Sequence, residues 1–180
     1  MIFNPKYVSI GKDVKDIKYN KDKINKFFKN KNVYYKTINF YKKYNYNFVP
    51  KLISSDDKNI SIKQQYVGNM LSLERNIPYN WEKQLNIIRN EFIKNKIIIQ
   101  DLRFLPYTPL VVNNFTVSNN KIYIVDLTMV LECSPDYINY KFDNLIFQIN
   151  LYLFILKYIN YRFLIIPHLF YHILVLIFDW

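Results

Sequence analysis

Hydrophobic and polar residues alternate over several short segments in the first third of the chain. The pattern gives three short strand candidates, at residues 7–10, 14–19 and 23–28. Between residues 33 and 44 the apolar and aromatic side chains instead recur every three or four positions, which predicts a helix. The chain is therefore expected to open with short strands that are interrupted by one helix.

The middle of the chain repeats this combination of strands and a helix. Pro50 precedes two further predicted strands, at residues 51–54 and 60–66. A longer helix is predicted at residues 81–95, where one face is apolar and Asn80 provides the N-terminal cap.

The last quarter of the chain, residues 136–180, is predicted to form one or two very apolar helices. Its uncharged run at residues 163–178 contains 16 residues, whereas a membrane span needs about 20. We therefore expect a buried helix here, with a membrane-associated or partner-facing helix as the alternative. His168 and His172 lie four residues apart, but no Cys, Asp or Glu lies close enough in sequence to complete a metal site.

Composition narrows the class of protein. At 180 residues the chain is long enough for one domain with a real core. Isoleucine, asparagine, lysine and tyrosine are abundant and alanine is absent, which indicates an A·T-rich coding sequence and fits a viral origin. The single Cys133 excludes an internal disulfide, and residues 1–10 do not resemble a signal peptide.

The expected location is the cytoplasm (the host's, for a viral protein), with peripheral membrane association as the alternative.

Positive charge is concentrated at the front of the chain. The formal net charge is +11, and residues 1–60 contain 14 Lys but only 5 Asp. A basic surface attracts phosphate groups, whether they belong to ATP, nucleic acid or anionic lipid. No known nucleic-acid-binding module is recognisable, so the lysines are interpreted mainly as a solvated face and nucleic acid is not expected as the principal ligand.

The most informative segment runs from Asp101 to Asp126. Residues 115–125 have the pattern of a β-hairpin, with turn-forming residues at 118–120. Such a hairpin would place Asn114 at the start of one strand and Asp126 at the end of the other. Because those two ends lie side by side, an amide oxygen and a carboxylate could share one Mg²⁺.

This order of an Asp, an Asn and a strand pair that ends in a second Asp resembles the protein-kinase-like superfamily. It is similar in particular to the short, divergent kinase-like proteins of large DNA viruses and phages. Residues 48–68 resemble the two strands that lead into the family's hinge, and residues 80–85 resemble the helix that follows the hinge. The resemblance covers roughly residues 26–130.

The resemblance implies an α+β, two-lobed fold. Residues 1–68 would form a reduced antiparallel N-lobe sheet, and residues 69–180 a mostly helical C-lobe. The implied function is a phosphotransferase that binds ATP with Mg²⁺ and transfers the γ-phosphate to a hydroxyl of an unknown protein or small molecule.

The resemblance also assigns roles to individual residues. The implied ATP and metal contacts are Lys26 for the phosphates, the backbone of Tyr66, Val67 and Gly68 for adenine, and Asn114 and Asp126 for Mg²⁺. Asp101 would be the catalytic base. Two simpler interpretations stay open: Lys26 lies among many solvated lysines, and Asp101 could cap a turn beside Arg103.

Several positions depart from the family pattern. Residues 102–113 carry an insertion, Ile99 stands where the family has His, and Thr128 replaces the glycine of the Asp-Phe-Gly motif. Thr37 aligns with the Glu that normally pairs with the lysine, and there is no Gly-rich loop. These departures support an alternative in which the chain is a catalytically degenerate pseudokinase that serves as a binding scaffold. A basic protein associated with nucleic acid or membrane is the third hypothesis.

Overall fold

The computed structural model describes residues 13–20, 22–99, 102, 104–105, 111–128 and 130–158. Within these ranges the chain is α+β, with small antiparallel sheets and three helices. In chain order, the elements are β1 Val14–Asn20, β2 Lys23–Phe28, α1 Lys31–Lys43, β3 Leu52–Asp56, β4 Ser61–Gln65, β5 Asn69–Ser72, α2 Trp81–Asn95, β6 Ile97–Ile99, β7 Phe104–Leu105, β8 Val111–Ser118, β9 Lys121–Ile124, β10 Val130–Glu132 and α3 Pro135–Tyr158.

The first sheet contains four antiparallel strands in the order β1–β2–β4–β3. Side chains alternate along β2, so Ile24, Lys26 and Phe28 are buried on its inner face while Asn25 and Phe27 lie on the outer face. The inner face packs against α1, where a small core forms from Phe28, Tyr34, Ile38 and Ile62. The predicted strand at residues 23–28 is confirmed.

Helix α1 begins at Lys31, two residues before its predicted start, and ends at Lys43, one residue before its predicted end. Asn30 caps the N-terminus, with its side-chain oxygen accepting a hydrogen bond from the Asn32 amide at 2.7 Å. Lys42 and Lys43 lie in the last turn, where positive charge interacts favourably with the helix dipole. Tyr34 fastens the helix to the β3–β4 turn by donating a hydrogen bond to Asp57 at 2.5 Å.

The second sheet is built around β8, which pairs with β5, β7 and β9. The β8–β9 hairpin turns at Asn119 and Asn120, whose φ angles are 50° and 58°. Two successive residues with positive φ are typical of the two-residue type I′ turn, and asparagine tolerates this conformation well. The predicted hairpin is therefore confirmed, with a turn one residue shorter than expected.

The large core lies among the second sheet, α2 and α3. Phe92 of α2 is central: its ring centroid lies 6.0 Å from those of both Phe48 and Phe142. At the surface, Arg89 of α2 donates a hydrogen bond to Asp143 of α3 at 2.6 Å. Helix α2 spans residues 81–95 as predicted, and Lys96 ends it with a φ of 52°.

Part of the predicted insertion loop is regular structure. Strand β8 begins at Val111 and pairs with β7, so residues 102–113 include two strands that local sequence did not indicate. As a consequence, Asn114 lies inside β8, and the prediction that it starts a strand was wrong. The predicted elements at residues 7–10 and 163–178 lie outside the described residues. Among the helices that are described, none is both long and apolar enough to cross a bilayer.

Candidate functional site

Lys26 connects the first sheet to the end of the β8–β9 hairpin. Its ammonium group donates a hydrogen bond to the backbone carbonyl of Val125 at 2.5 Å, although the two residues are 99 positions apart. Lys26 is only 9% exposed, because its position on β2 turns it toward the inner face of the sheet. It is therefore not part of the solvated lysine-rich surface.

The electrostatics of Lys26 reflect this burial. Loss of solvent lowers the pKa of Lys26, because water no longer stabilises the charged ammonium. The negative charge of Asp126 acts in the opposite direction and raises the pKa, but its effect is smaller. The structure thus places Lys26, the predicted phosphate ligand, close enough to Asp126, the predicted metal ligand, for the charge of one to affect the pKa of the other.

Asp126 is oriented by its own chain. Its Oδ1 accepts hydrogen bonds from the Thr128 amide at 3.1 Å and from the Thr128 hydroxyl at 2.8 Å. Thr128 stands where the kinase-like pattern has a glycine, and its hydroxyl adds a contact that a glycine could not make. Both of these bonds use Oδ1, so among the contacts with described residues Oδ2 is the carboxylate oxygen available to a cation.

Asn114 lies beside Asp126 on the neighbouring strand. The Asn114 carbonyl accepts a hydrogen bond from the Val125 amide at 3.0 Å, directly before Asp126. Asn114 has a φ of 61°, and the pairing of β8 with β5 is irregular around it, as in a β-bulge. Bulges redirect side chains and are frequent next to active sites, and asparagine is among the residues that tolerate positive φ.

Helix α2 holds the hairpin in place through Gln84. The Gln84 side chain donates to the Asn120 carbonyl at 2.8 Å and accepts from the Ile122 amide at 2.8 Å. Gln84 also donates to the Asn80 side chain at 2.6 Å, which ties it to the start of the helix. These contacts fix the turn of the hairpin, and hence the direction in which its other end presents Asp126.

Two polar residues near Asp126 were not predicted from the sequence. The Tyr41 hydroxyl of α1 lies 3.3 Å from the side-chain oxygen of the buried Gln64 on β4. The pKa of Tyr41 is raised, first by burial and then by the charge of Asp126. The Gln64 amide nitrogen has no hydrogen-bond partner within the described part of the chain. Alternation along β4, with buried Ile62 followed by Gln64, was the signal that could have identified this inner-face amide.

Thr37 does not replace the missing glutamate. It is buried, but its hydroxyl donates to the Val33 carbonyl of its own helix at 2.9 Å. The hydroxyl is therefore engaged one helical turn back. Tyr41 lies one turn further along the same face of α1, and the charge of Asp126 contributes to its raised pKa.

The predicted adenine-binding segment connects the two larger sheets. The Tyr66 amide donates to the Asp22 carbonyl at 2.7 Å, and the Tyr66 hydroxyl donates to Asn69 at 2.8 Å. Gly68 has a φ of 86°, and its α-carbon faces the Val117 carbonyl at close range. Because the Tyr66 amide is already bonded, an N–H donor to an adenine ring would have to come from Val67 or Gly68.

A groove lies on the other face of the first sheet. It has a volume of about 290 Å³ and includes Asn25, Phe27, Ser54 and Lys63 in its lining. Neighbouring residues of a strand point to opposite faces, so this groove opens away from Lys26. It is separate from the cluster formed by Lys26, Asn114 and Asp126.

Lys26, Asp126 and Asn114 are the residues that the kinase-like resemblance assigns to phosphate and Mg²⁺. Carboxylate and amide oxygens suit Mg²⁺, which usually completes its shell with water and substrate phosphates. Asp126 and Asn114 are the ligands that the sequence predicts, and in the described ranges no group of three His, Cys, Asp or Glu side chains gathers to form another candidate site. Asp101, the predicted catalytic base, lies outside the described residues. No protein-family model and no curated protein sequence matches the chain.

Proposed function

We propose that this chain is a kinase-like phosphotransferase that binds ATP with Mg²⁺ between its first sheet and the β8–β9 hairpin. The observation that carries the proposal is the buried Lys26 ammonium, which lies against the Val125–Asp126 backbone with Asn114 alongside. A buried cation next to a carboxylate is expensive to desolvate, so its presence favours a functional explanation. The acceptor would be a hydroxyl of a protein or a small molecule.

The order of elements also supports this proposal. The strand that carries Lys26 is followed by α1, two antiparallel strands, a short connection at residues 66–68, α2 and the hairpin that ends near Asp126. This is the order that the resemblance to protein kinases implies. In a two-lobed arrangement, the first sheet would form the small lobe.

Each residue of the cluster has a distinct role in the proposed reaction. Lys26 supplies a positive charge in a region of low dielectric, where its attraction for phosphate oxygens is strong. Asn114 and Asp126 would hold Mg²⁺, which neutralises negative charge on the phosphates. Asp101 would accept the proton of the attacking hydroxyl.

Nucleotide binding can be tested by thermal unfolding with ATP and Mg²⁺. At 100 times the dissociation constant, ligand binding stabilises a protein by about 2.7 kcal/mol, or roughly 5–10 °C for a chain of this length. We expect this shift in the wild type and its loss in Asp126→Ala. The matched control is Asp136→Ala, which removes an exposed carboxylate outside the cluster. An unshifted wild type, or an equal shift in Asp126→Ala, would contradict the proposed site.

Phosphoryl transfer can be tested with radiolabelled ATP and mixed protein and small-molecule acceptors. Asp101→Asn is expected to reduce transfer by about 100-fold or more, the usual contribution of a general base. The ATP-dependent thermal shift should persist in this variant, since Asp101 is not assigned to binding. Unchanged transfer by Asp101→Asn would remove Asp101 from the mechanism.

A catalytically degenerate scaffold is the second candidate function. It is favoured by α1, which contains no acidic residue and directs the Thr37 hydroxyl to its own backbone. Without a carboxylate on this helix, Lys26 is bonded to the Val125 carbonyl instead. ATP binding without measurable transfer to any acceptor would select this candidate over the enzyme.

A further inference from the structure

Helix α3 has two apolar faces. One face is buried in the core and consists of Ile138, Phe142, Leu145, Ile149, Tyr152 and Ile155. The other face is exposed and carries six large hydrophobic residues: Tyr137, Tyr140, Phe147, Leu151, Phe154 and Tyr158. We call these six residues the α3 stripe. At 100° per residue the two faces point in roughly opposite directions, so the core does not account for the stripe.

The α3 stripe follows the spacing of a coiled coil. From Tyr137 to Tyr158 its positions are separated alternately by three and four residues, with the exposed Asn144 filling the one remaining position. In heptad notation, Tyr137, Asn144, Leu151 and Tyr158 occupy a positions, and Tyr140, Phe147 and Phe154 occupy d positions. A single asparagine at an a position is a known determinant of register in parallel two-stranded coiled coils.

The exposed area is large enough for an interface. The six side chains are between 40% and 65% exposed. Taking roughly 200 Å² for a whole side chain of this size, the stripe offers about 650 Å² per copy, or about 1,300 Å² for two copies. Specific interfaces bury about 1,200–2,000 Å², whereas the largest apolar patch on a monomer is usually about 300–600 Å².

We propose that the α3 stripe pairs with the α3 stripe of a second copy of this chain, as two parallel helices in register. In this arrangement each Asn144 faces the Asn144 of the other copy, and their amides can bond to one another. The flanking charges are complementary: Asp136 at a g position of one helix lies next to Lys141 at an e position of the other. The pairing is independent of the proposed phosphotransferase function, because it uses none of the residues near Lys26.

Disulfide trapping tests the register directly. Facing a positions are close enough for a disulfide, which requires α-carbons about 4.4–6.8 Å apart. In a full-length Cys133→Ser background, Asn144→Cys is expected to form a disulfide-linked dimer under mild oxidation. The control Asn150→Cys lies at an exposed g position that flanks the stripe, where the two α-carbons are farther apart than at facing a positions, so it should stay largely unlinked.

Sedimentation equilibrium tests the role of the stripe without cysteines. The wild type should be a dimer. In the double variant Phe147→Glu, Phe154→Glu, the dissociation constant of the dimer should be at least 100 times higher. Both residues are exposed, so helical content measured by circular dichroism should be unchanged. The control Asn150→Glu, which adds one negative charge at an exposed position outside the stripe, should remain dimeric.

A wild type that stays monomeric at all concentrations overturns the proposal. Thiol labelling of Phe154→Cys in the Cys133→Ser background, with and without anionic vesicles, would then identify the alternative. Rapid labelling means that the stripe is uncovered, and slow labelling of the monomer means that another part of the same chain, such as residues 163–178, covers it. Protection only with vesicles means that a membrane surface is the occupant.

Discussion

Replacing Lys26 with methionine is expected to stabilise the ligand-free protein and to abolish its stabilisation by ATP and Mg²⁺. Burial lowers the pKa of Lys26, and the nearby Asp126 only partly compensates, so the charged ammonium is a net cost to folding. Methionine has a similar length and no charge to desolvate. Replacing a whole buried ion pair by apolar groups of similar volume often increases stability by about 1–4 kcal/mol. Here only the lysine is removed, but the remaining Asp126 is partly exposed and keeps its hydrogen bonds to Thr128, so no fully buried charge is left unpaired. Urea unfolding with and without nucleotide measures both effects.

The increase in the free energy of unfolding caused by Lys26→Met should depend on pH. The folded-state pKa of Lys26 lies below its ordinary value of 10.5, so between these two pKa values the unfolded chain binds more protons than the folded one. Wild-type stability therefore rises with pH across this window, while the variant lacks the effect. The difference between the two proteins should be largest below the folded-state pKa and should shrink as the pH approaches 10.5.

Lys63→Met is the matched control for Lys26→Met. Lys63 lies on the neighbouring β4 but is exposed on the outer face of the sheet. Its replacement should change the free energy of unfolding by no more than about 0.5 kcal/mol and leave the nucleotide effect intact. A clear loss of stability in Lys26→Met would mean that its contacts with Val125 and Asp126 outweigh desolvation. Retained stabilisation by ATP would exclude Lys26 from the nucleotide site.

The second large effect is expected at Gly68. An alanine Cβ at this position would lie 1.9 Å from the Val117 carbonyl oxygen and 2.7 Å from its carbon. Both atoms belong to the backbone of β8, so relief requires β5 and β8 to separate. The positive φ of 86° adds conformational strain of about 1–2 kcal/mol. Gly68→Ala should therefore lose more than about 3 kcal/mol, or about 10 °C in thermal unfolding.

The Asn119→Ala variant measures the cost of a positive φ without the steric clash that is expected at Gly68. Asn119 also has a positive φ, 50°, but it is exposed in the turn of the hairpin. Its replacement should cost only the strain of about 1–2 kcal/mol. Equal losses of stability in the two alanine variants would contradict this prediction. They would mean that a small backbone shift relieves the steric clash at residue 68, and that β5 can pack against β8 without a glycine there.

Local sequence determined the elements whose signals are complete within a few residues. Helix α2 was predicted at its observed bounds, because its apolar face repeats at helical spacing and Asn80 precedes it. The predicted cap itself is not formed, since the Asn80 side chain makes no cap hydrogen bond and accepts instead from the Gln84 side chain. Strand β2 shows the alternation of a half-buried strand, and the hairpin turn at Asn119 and Asn120 contains residues that tolerate positive φ. In each case neighbouring residues supply the pattern.

Only the tertiary structure decided how these elements pair and what they bring together. Strand β10 has only three residues and pairs with β6 across 30 intervening positions, so its own sequence carries no recognisable signal. The bulge at Asn114 likewise depends on the register of β8 against β5. Alternation along β2 implied that Lys26 shares a face with core residues. Its contact with Val125 and proximity to Asp126 required the first sheet to pack against a hairpin nearly 100 residues away. Such long-range contacts depend on packing of the whole core, which no short window of sequence specifies.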